Sequence, residues 1–534
     1  MSTRPETTLA ALIANRVETM PDLDVLTVEG AGARPDEVRT CRQLWENGQR
    51  LAQVLIDQGL RPGDHFALLM ANHAEFVDAM VAASISGTVF VPIDPRAKGD
   101  KLAYMLEQAQ CRGVIAADYT LENLMDVRRS LAGLSWVIAL ETDEGGEPLA
   151  DFPGVASLNA LLPAHVPDLP VMARDPAGAM QLIFTSGTTG DPKGIVMTHQ
   201  RYCATAAAVS ALFGYAADDR PYSGLSLTHA NAQIVTLGAS LTAGMRAVLS
   251  RRFTKSRLWN ITRQYRCTTF TLLGGMTTAI YSEPTKADDA DNPVRFVISA
   301  GMPAAIWKAF EKRFGVGIVE FYGAAEGGIT VKPLGVGPIG SIGKPAPSLQ
   351  HRIIDDDGND CAKGVPGELL FRPADGLPFN VEYFGNPEAS AQKCKGGWLH
   401  MGDVVREDEN GWLFFEYRKG GGIRHNGEFI NPAPIEKVIA ESGAVEDVYV
   451  YGVRGASGAP GEKDLVAAIV PKRANDFDPQ QVFRACRAKL EASSVISWVQ
   501  VVPEIPKTAS EKPLERYLVE MFEGQPGNVF TEQA

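Results

Sequence analysis

The sequence predicts an α/β protein with a large N-terminal domain and a small α+β C-terminal domain. Short apolar runs such as residues 65–70 and 89–93 alternate with helix-spaced segments such as 75–86. This alternation is typical of parallel-type sheets covered by helices. From Arg352 onward the chain changes to short strands separated by turns, which predicts a β-rich, barrel-like subdomain within the N-terminal domain.

The individual elements follow from apolar spacing and turn residues. Helical spacing predicts helices over 44–60 and 101–110, and an apolar run predicts a strand at 113–117. In the β-rich segment, strand-like runs at 367–371 and 411–415 each come after a turn. We therefore expect parallel sheets in the earlier part of the N-terminal domain and the β-rich subdomain at about 335–417.

Three successive glycines at 420–422 mark the predicted domain boundary. Glycine has an unusually free backbone, so a run of three indicates either a plain surface turn or a hinge. Strand and helix signals return after the triplet. We expect an N-terminal domain at 1–419 and a C-terminal domain at 420–534.

Charge and cysteine content exclude several classes of protein. The 51 Lys and Arg residues against 64 Asp and Glu give a net charge of -13, which opposes non-specific binding to nucleic acid. The seven cysteines are dispersed without a CxxC pair, as expected for reduced thiols in the cytoplasm. The most apolar stretch, 79–93, contains polar residues and is too short to span a bilayer.

A loop of hydroxyl and glycine residues that ends in a lysine is the strongest chemical signal. Glycines let backbone N–H groups approach phosphate oxygens, hydroxyls add donors, and lysine supplies a positive charge. The spacing differs from the GxxxxGK[ST] P-loop, because Pro192 precedes the lysine and Gly194 follows it. The candidate phosphate-binding residues are Thr185, Ser186, Gly187, Thr188, Thr189, Gly190 and Lys193.

This loop and four later segments resemble the adenylate-forming enzymes, a family of acyl-CoA synthetases, luciferases and peptide-synthetase adenylation domains. The later segments, residues 299–303, 321–326, 398–403 and 506–512, occur in the family's order. The resemblance spans nearly the whole chain, and it implies that the C-terminal domain at 420–534 is mobile, with a hinge near Gly421. Residues 225–265 are most similar to acyl-CoA ligases of the carnitine or crotonobetaine type.

The resemblance implies a nucleotide site. Tyr322 would offer an aromatic face to the adenine, and Glu326 would be an oxygen ligand of Mg²⁺. Ala325 departs from the family pattern, which usually has a threonine near the α-phosphate. Asp403 and Arg418 would bind the ribose. The remaining nucleotide-binding or cofactor-binding residues that the resemblance implies are Gly301, Met302, Pro303, Phe321, Gly323, Ala324, Gly427 and Glu428.

The resemblance also implies a pocket for an acyl group. His229 matches the position of an aromatic or histidine residue beside that pocket, and a structural histidine is the alternative. The small residues expected to line the pocket are Gly274, Gly275, Gly301, Ala324, Gly327 and Gly328. Their size predicts room for a substrate of some bulk.

The segment before the C-terminal end carries a second lysine of interest. Residues 506–512 are similar to the family's PRTxSGK motif, with Glu511 in place of the glycine. Lys512 would bridge the substrate carboxylate and the α-phosphate, and Pro513 is expected at the first position of the next helix. Lys512, Glu326, Thr185 and Lys193 are therefore the candidate catalytic residues.

The implied activity is the ATP-dependent ligation of a carboxylic acid to coenzyme A, with AMP and pyrophosphate as products. The expected cofactors are ATP, Mg²⁺ and coenzyme A. The expected partner is a small carboxylic acid, in a cytoplasmic enzyme whose assembly as a homodimer is left open. The alternatives are an enzyme that loads a carrier-protein thiol and a non-catalytic acyl-adenylate or nucleotide sensor. The sequence does not identify the acid.

Overall fold

A computed structural model gives the fold of the chain. It describes residues 8–32, 34–142, 144–185, 192–419, 423–425, 428–430, 432–454, 463–490, 494–508, 511, 513–524 and 526–533. The chain forms two compact units, Met1–Leu349 with Pro373–Leu399, and Gln350–Arg372 with His400–Ala534. The predicted boundary between residues 419 and 420 stays a prediction, because residues 420–422 lie outside the described ranges.

Twelve α-helices and one π-helix occur in the described part of the first unit. The α-helices are α1 (Leu9–Thr19), α2 (Cys41–Asp57), α3 (Ala74–Ser86), α4 (Gly99–Gln108), α5 (Leu121–Arg128), α6 (Leu158–Leu161), α7 (His199–Leu212), α8 (Ala239–Ala243), α9 (Leu258–Gln264), α10 (Gly274–Tyr281), α11 (Trp307–Phe314) and α12 (Pro387–Lys393). The π-helix, Asn231–Gly238, leads directly into α8. Short 3-10 turns occur at Asp118–Thr120, Leu149–Asp151 and Lys395–Gly397.

The strands of the first unit form two sheets. They are β1 (Asp24–Val28), β2 (Glu37–Thr40), β3 (His65–Leu69), β4 (Val89–Ile93), β5 (Cys111–Ala117), β6 (Trp136–Leu140), β7 (Val155–Ser157), β8 (Ala179–Phe184), β9 (Gly194–Thr198), β10 (Pro221–Ser223), β11 (Ala247–Leu249), β12 (Thr269–Leu273), β13 (Phe296–Ala300), β14 (Gly317–Ala324), β15 (Gly327–Lys332) and β16 (Lys344–Pro345).

Both sheets are mainly parallel. The seven-stranded sheet has the order β7-β6-β5-β3-β4-β8-β9, and only the β8–β9 pair is antiparallel. The nine-stranded sheet has the order β16-β15-β14-β13-β12-β10-β11-β1-β2. In this sheet every pair of neighbouring strands from β14 to β1 is parallel. The predicted parallel-type α/β fold is confirmed.

The strand β3 shows why both faces of its sheet are covered. Phe66 and Leu68 belong to a buried cluster that also includes Phe270 of β12, whereas Ala67 and Leu69 belong to a second cluster. Successive side chains of a strand point to opposite faces, so a strand that is buried along its length has apolar residues at every position.

The most apolar stretch of the sequence lies inside the first unit. Every residue of α3 except Glu75 is buried, and all five residues of β4 are buried. The one carboxylate on the buried part of this helix, Asp78, pairs with Arg39 at 3.0 Å, which offsets the cost of burying its charge. Among the described helices, none combines the length and the apolar character that a membrane crossing requires.

The second unit contains the β-rich segment and the C-terminal residues. Its strands are β17 (Leu349–Ile354), β18 (Gly367–Pro373), β19 (Leu399–Glu407), β20 (Leu413–Arg418), β21 (Ile423–His425), β22 (Glu428–Ile430), β23 (Val445–Arg454), β24 (Lys463–Pro471), β25 (Trp498–Val501) and β26 (Val529–Phe530). Its helices are α13 (Pro432–Glu441), α14 (Pro479–Lys489) and α15 (Glu515–Gly524), with 3-10 turns at Ala474–Asp476 and Pro526–Asn528. The sheets run β17-β18-β19-β20, β21-β22 and β23-β24-β25-β26.

The expected position of Pro513 is wrong. This residue forms a bridge with Lys507 rather than occupying the first helical position, and α15 begins two residues later, at Glu515. The backbone N–H of Leu514 bonds to the carbonyl of Pro506 at 2.8 Å, which closes the loop before the helix. Because Pro513 takes part in this bridge, the helix begins after it and not at it.

Candidate functional site

Most of the residues predicted to line the acyl pocket lie at or after the carboxyl ends of neighbouring parallel strands. Strands β10, β12, β13 and β14 are adjacent and parallel, so their carboxyl ends lie along one edge of the nine-stranded sheet. In open α/β sheets, ligands bind at this edge. The predicted residues that end or follow these strands are His229 after β10, Gly274 and Gly275 after β12, Gly301 after β13, and Tyr322, Gly323 and Ala324 at the end of β14.

The loop after β13 is held by a carboxylate that the sequence reasoning missed. Gly301 has a φ of 96°, in the left-handed region that favours glycine. The side chain of Glu320, on β14, accepts the backbone N–H of Gly301 at 2.5 Å and that of Met302 at 3.1 Å. These bonds fix the start of the segment that continues into Pro303.

Glu320 is a buried acid with a buried cation opposite it. Burial raises the pKa of Glu320 to about 8, although the two N–H donors and the nearby Lys332 lower it. Lys332 is its direct cross-strand partner on β15, and the Lys332 ammonium lies 4.6 Å from the centroid of the Trp307 ring. The only sequence signal was a charged residue at each of these two positions in otherwise apolar strands.

The β14–β15 hairpin carries the predicted adenine-binding and metal-binding residues. Phe321 is buried and Tyr322 is half-buried, and Ala325 and Glu326 form the two-residue turn. The strand pairing resumes at Gly327, which has a φ of 121°, and Gly328 has a φ of 74°. A side chain at Gly327 would place its Cβ 2.5 Å from the Phe379 ring. These two glycines therefore shape the backbone of the turn that presents Glu326.

Replacing Gly327 with alanine should destabilise the protein by about 1–3 kcal/mol, because an L-residue is strained at this φ and its Cβ meets Phe379. Thermal unfolding checks this prediction. Gly335→Ala is the matched control, since Gly335 also has a positive φ, 70°, but open space around its Cβ. Equal shifts in melting temperature for the two variants would contradict a role for the Phe379 contact.

The predicted phosphate-binding loop connects β8 to β9. The two ends of the loop are joined where the backbone N–H of Thr185 donates to the carbonyl of Lys193 at 3.0 Å. The antiparallel pairing of Phe184 with Gly194 continues from this bond. Five predicted residues of the loop, Ser186, Gly187, Thr188, Thr189 and Gly190, lie outside the described residues.

Tyr383 brings two predicted catalytic residues together. Its hydroxyl donates to Oε1 of Glu326 at 2.8 Å, and the ammonium of Lys193 lies 5.5 Å from the centroid of its ring. Lys193 and Glu326 are far apart in the sequence, so their meeting on one side chain supports the prediction that they act at one site. The sequence reasoning missed Tyr383, because a tyrosine in an irregular segment carries no chemical pattern of its own.

A second missed residue, Arg201, lies near the same carboxylate. It belongs to the first turn of α7, where its backbone N–H donates to the side chain of the capping residue Thr198 at 3.2 Å. Its guanidinium donates to the carbonyl oxygen of Ala325 at 2.5 Å. Burial lowers the pKa of Arg201, whereas the negative charge of Glu326 raises it. Arg201 thus fixes the backbone next to Glu326 and adds positive charge there.

His229 has the features of a residue that contacts a ligand. It precedes the π-helix Asn231–Gly238, a rare geometry that is frequent at functional sites. Burial lowers the pKa of His229, so the ring is neutral at pH 7. Among the described residues, neither its buried Nε2 atom nor the buried Oδ1 atom of Asn231 has a hydrogen-bond partner. Buried polar atoms are usually paired, so a partner beyond the described residues would be expected here.

The remaining predicted residues belong to the second unit. Asp403 on β19 is buried and lies directly opposite Arg418 on β20, with Oδ1 and Nη1 3.6 Å apart. Glu428 begins β22. Gly421, Gly427 and Lys512 lie outside the described residues.

Glu326 has the donor chemistry that Mg²⁺ requires. Its Oε1 atom accepts the Tyr383 hydroxyl, and among the described residues its Oε2 atom has no hydrogen bond. Mg²⁺ usually binds one or two protein carboxylates together with substrate phosphates, so a single free carboxylate oxygen fits a metal carried by a nucleotide.

A second group of acidic and histidine side chains is less suited to a metal. Glu37, His73 and Glu75 lie close together, but Arg251 pairs with Glu37 and Arg39 pairs with Glu75 at 2.9 Å. Their carboxylates are therefore already neutralised by arginines.

The chain is similar to several known proteins along most of its length. It is 28% identical to a medium/long-chain-fatty-acid–CoA ligase, FadD17, of Mycobacterium marinum, over 85% of this chain and 86% of that protein. It is 27% identical to a crotonobetaine/carnitine–CoA ligase of Escherichia coli, over 88% and 90%.

Solved structures share the fold. The anthranilate CoA ligase AuaEII, in complex with anthranoyl-AMP, is 22% identical and covers 97% of this chain and 98% of its own, with a TM-score of 0.84. A benzoate CoA ligase from Burkholderia xenovorans is 23% identical, with coverage of 96% and 99% and a TM-score of 0.81. The predicted fold class is confirmed by these likenesses.

Family models match both parts of the chain. The model of the AMP-binding enzyme matches residues 13–375, and the model of the AMP-binding enzyme C-terminal domain matches residues 434–512. These ranges contain the strand edge, the β14–β15 hairpin and the segment before Pro513. The chain belongs to the family of AMP-binding enzymes.

Proposed function

We propose that the protein is an AMP-forming acid–CoA ligase, which activates a carboxylic acid with ATP and Mg²⁺ and transfers the acyl group to coenzyme A. The observation that carries the proposal is the meeting of Lys193 and Glu326 on Tyr383, at the ends of two hairpin loops. An ammonium and a carboxylate placed together suit a nucleotide polyphosphate with its metal. The family match and the CoA ligases among the relatives agree with this activity.

The reaction has two steps. An oxygen of the substrate carboxylate attacks the α-phosphorus of ATP, and pyrophosphate leaves. The thiol of coenzyme A then loses its proton and attacks the carbonyl carbon, and AMP leaves. The substrate supplies the nucleophile in each step, so the protein acts by positioning the reactants and stabilising charge.

The residues of the first unit bind the nucleotide in this proposal. Lys193 and the hydroxyls of the loop that begins at Thr185 contact the phosphates, and Tyr322 faces the adenine. Glu326 would hold Mg²⁺, which would supply positive charge to the phosphates. The segment from Gly301 to Pro303, fixed by Glu320, borders the adenine and acyl groups.

The C-terminal residues complete the two half-reactions. Asp403 and Arg418 bind the ribose. Lys512 bridges the carboxylate and the α-phosphate during adenylation. The domain formed by residues 420–534 then rotates about Gly421, which removes Lys512 and opens the way for the coenzyme A thiol, with Gly427 and Glu428 in the segment that closes over it.

The acyl pocket follows the carboxyl ends of the strands β10, β12, β13 and β14. The small residues there, Gly274, Gly275, Gly328 and Ala324, support a substrate with some bulk. Gly327 does not add room, because the Phe379 ring fills the space beside it. His229 and Asn231 contribute buried polar atoms that have no hydrogen-bond partner among the described residues, which favours an acid that carries a polar group. A small carboxylic acid of this kind is the proposed substrate.

The proposal also covers location and assembly. We place the enzyme in the cytoplasm, which agrees with its seven free cysteines. The proposal includes no nucleic-acid partner and no membrane span. A homodimer is the proposed assembly, and light scattering after size-exclusion chromatography tests it.

A screen of pyrophosphate release over fatty, aromatic, betaine-type and hydroxylated acids tests the function. We expect at least one acid to release pyrophosphate with ATP and Mg²⁺, and to yield its thioester when coenzyme A is added. Production of ADP and phosphate would contradict attack at the α-phosphorus. Pyrophosphate release without thioester formation would instead indicate a carrier-protein thiol as acceptor, and no release with any acid would favour a sensor.

A further inference from the structure

Tyr383 contacts both Glu326 and Lys193, the two residues that bind the metal and the phosphates in the proposed function. We propose that Tyr383 is a positioning residue, which holds the Glu326 carboxylate in the orientation that binds Mg²⁺ and keeps the Lys193 ammonium beside it. This inference rests on the proposed function, since it concerns how the same nucleotide site is organised. It depends on three features: the anchoring of Tyr383, its hydroxyl and its ring.

The backbone around Tyr383 is anchored to the strand that leads out of the phosphate-binding loop. Tyr383 forms a bridge with Ile195 of β9. The backbone N–H of Val196 donates to the carbonyl of Glu382 at 2.9 Å, and that of Phe384 donates to the carbonyl of Gly194 at 2.8 Å. Because β9 begins directly after Lys193, these bonds fix the tyrosine relative to the end of the loop.

The hydroxyl of Tyr383 selects one oxygen of Glu326. Only 6% of Tyr383 is exposed, and a hydrogen bond to a charged acceptor is strong where water is largely excluded. The bond at 2.8 Å occupies Oε1 and restricts rotation of the carboxylate. Oε2, which has no hydrogen bond among the described residues, is left in one orientation for a metal.

The ring of Tyr383 holds a cation without neutralising it. The Lys193 ammonium lies 5.5 Å from the ring centroid, within the range of a cation–π contact. Among the described residues no carboxylate forms a salt bridge with Lys193. A carboxylate partner would compete with phosphate for the ammonium, whereas an aromatic face leaves its full charge available. Tyr383 thus contacts the Lys193 ammonium through the face of its ring and the Glu326 carboxylate through its hydroxyl.

The test measures nucleotide binding as well as turnover. The wild-type enzyme, Tyr383→Phe, Glu326→Gln and the double variant are titrated calorimetrically with α,β-methylene-ATP, first with Mg²⁺ and then with EDTA. Tyr383→Phe keeps the ring and removes only the hydroxyl. Tyr265→Phe is the matched control, because the Tyr265 hydroxyl also donates to a carboxylate, that of Asp36, at 2.7 Å. Thermal unfolding of each variant verifies folding.

We expect Tyr383→Phe to weaken analogue binding about 10-fold with Mg²⁺, the value for loss of one hydrogen bond to a charged group, and to leave binding in EDTA unchanged. In the double variant, the tyrosine change should have no further effect, since the metal-binding carboxylate is already gone. Tyr265→Phe should bind as the wild type does.

Equal binding by Tyr383→Phe and the wild type would overturn the inference, as would the same weakening in EDTA or additive losses in the double variant. Turnover of the wild-type enzyme is assayed in parallel with the acid screen. If the wild type formed no AMP, the proposed function would fail independently, because the binding comparison requires no turnover.

Discussion

Replacing Lys512 with alanine should slow acyl-adenylate formation by about 10²–10³, the usual effect of removing one preorganised electrostatic contact. The reason is that, in the proposed mechanism, Lys512 bridges two negatively charged reactants, the substrate carboxylate and the α-phosphate. Single-turnover formation of acyl-AMP, measured by rapid quench, gives the rate. The second half-reaction should differ. Given synthetic acyl-AMP and coenzyme A, the variant should form the thioester at a near-normal rate, because the proposed rotation removes Lys512 before this step.

Lys489→Ala is the matched control for Lys512. Lys489 belongs to the same C-terminal segment and forms a surface salt bridge with Glu441 at 3.2 Å, so its loss should leave both half-reactions unchanged. Equal damage to both half-reactions in Lys512→Ala would contradict rotation of the C-terminal domain. Undamaged half-reactions would exclude Lys512 from the mechanism.

Replacing Glu326 with glutamine should reduce adenylation by about 10²-fold at low Mg²⁺, an effect of the size expected for one charge-stabilising group. The change keeps the side-chain shape and an acceptor for the Tyr383 hydroxyl, but it removes the negative charge from the free oxygen. Half-saturation by Mg²⁺ should therefore move to higher concentration. The measurement is a magnesium titration of pyrophosphate release at saturating ATP.

Glu416→Gln controls for the loss of a carboxylate elsewhere. Glu416 pairs with Arg406 at 2.7 Å on β20, and its loss should not alter the magnesium titration. A magnesium profile that is the same in Glu326→Gln and the wild type would show that Glu326 has only a structural role.

Elements with a strong apolar pattern could be predicted from the sequence. The strand β4 has the predicted bounds, and α3 begins one residue before the predicted helix. Both elements could be predicted because they are buried almost along their whole length, which leaves a nearly uninterrupted apolar run in the sequence. Pro513 shows where local rules fail. Proline favours the start of a helix, but Pro513 instead forms a bridge with the earlier residue Lys507. A backbone pairing of this kind cannot be predicted from the residues that are adjacent in the sequence.

The candidate site could be predicted only where a motif carries the chemistry. Lys193 and Glu326 lie in recognisable segments, and the structure places both beside Tyr383. Tyr383 and Arg201 were missed, because each acts through contacts with residues far away in the sequence. Glu320 was missed for a similar reason: it supports the loop at Gly301 from the neighbouring strand. Supporting residues of this kind become visible only when the sheet order is known.

Isotope transfer from the acid to AMP tests the central claim, passage through an acyl-adenylate, most directly. The acid is labelled with ¹⁸O in its carboxylate and incubated with the enzyme, ATP, Mg²⁺ and coenzyme A, and the products are analysed by mass spectrometry. We expect one ¹⁸O atom in the phosphate of AMP and none in pyrophosphate, because the attacking carboxylate oxygen stays on phosphorus when the thiol displaces AMP. Unlabelled AMP, or label in inorganic phosphate formed together with ADP, would contradict it.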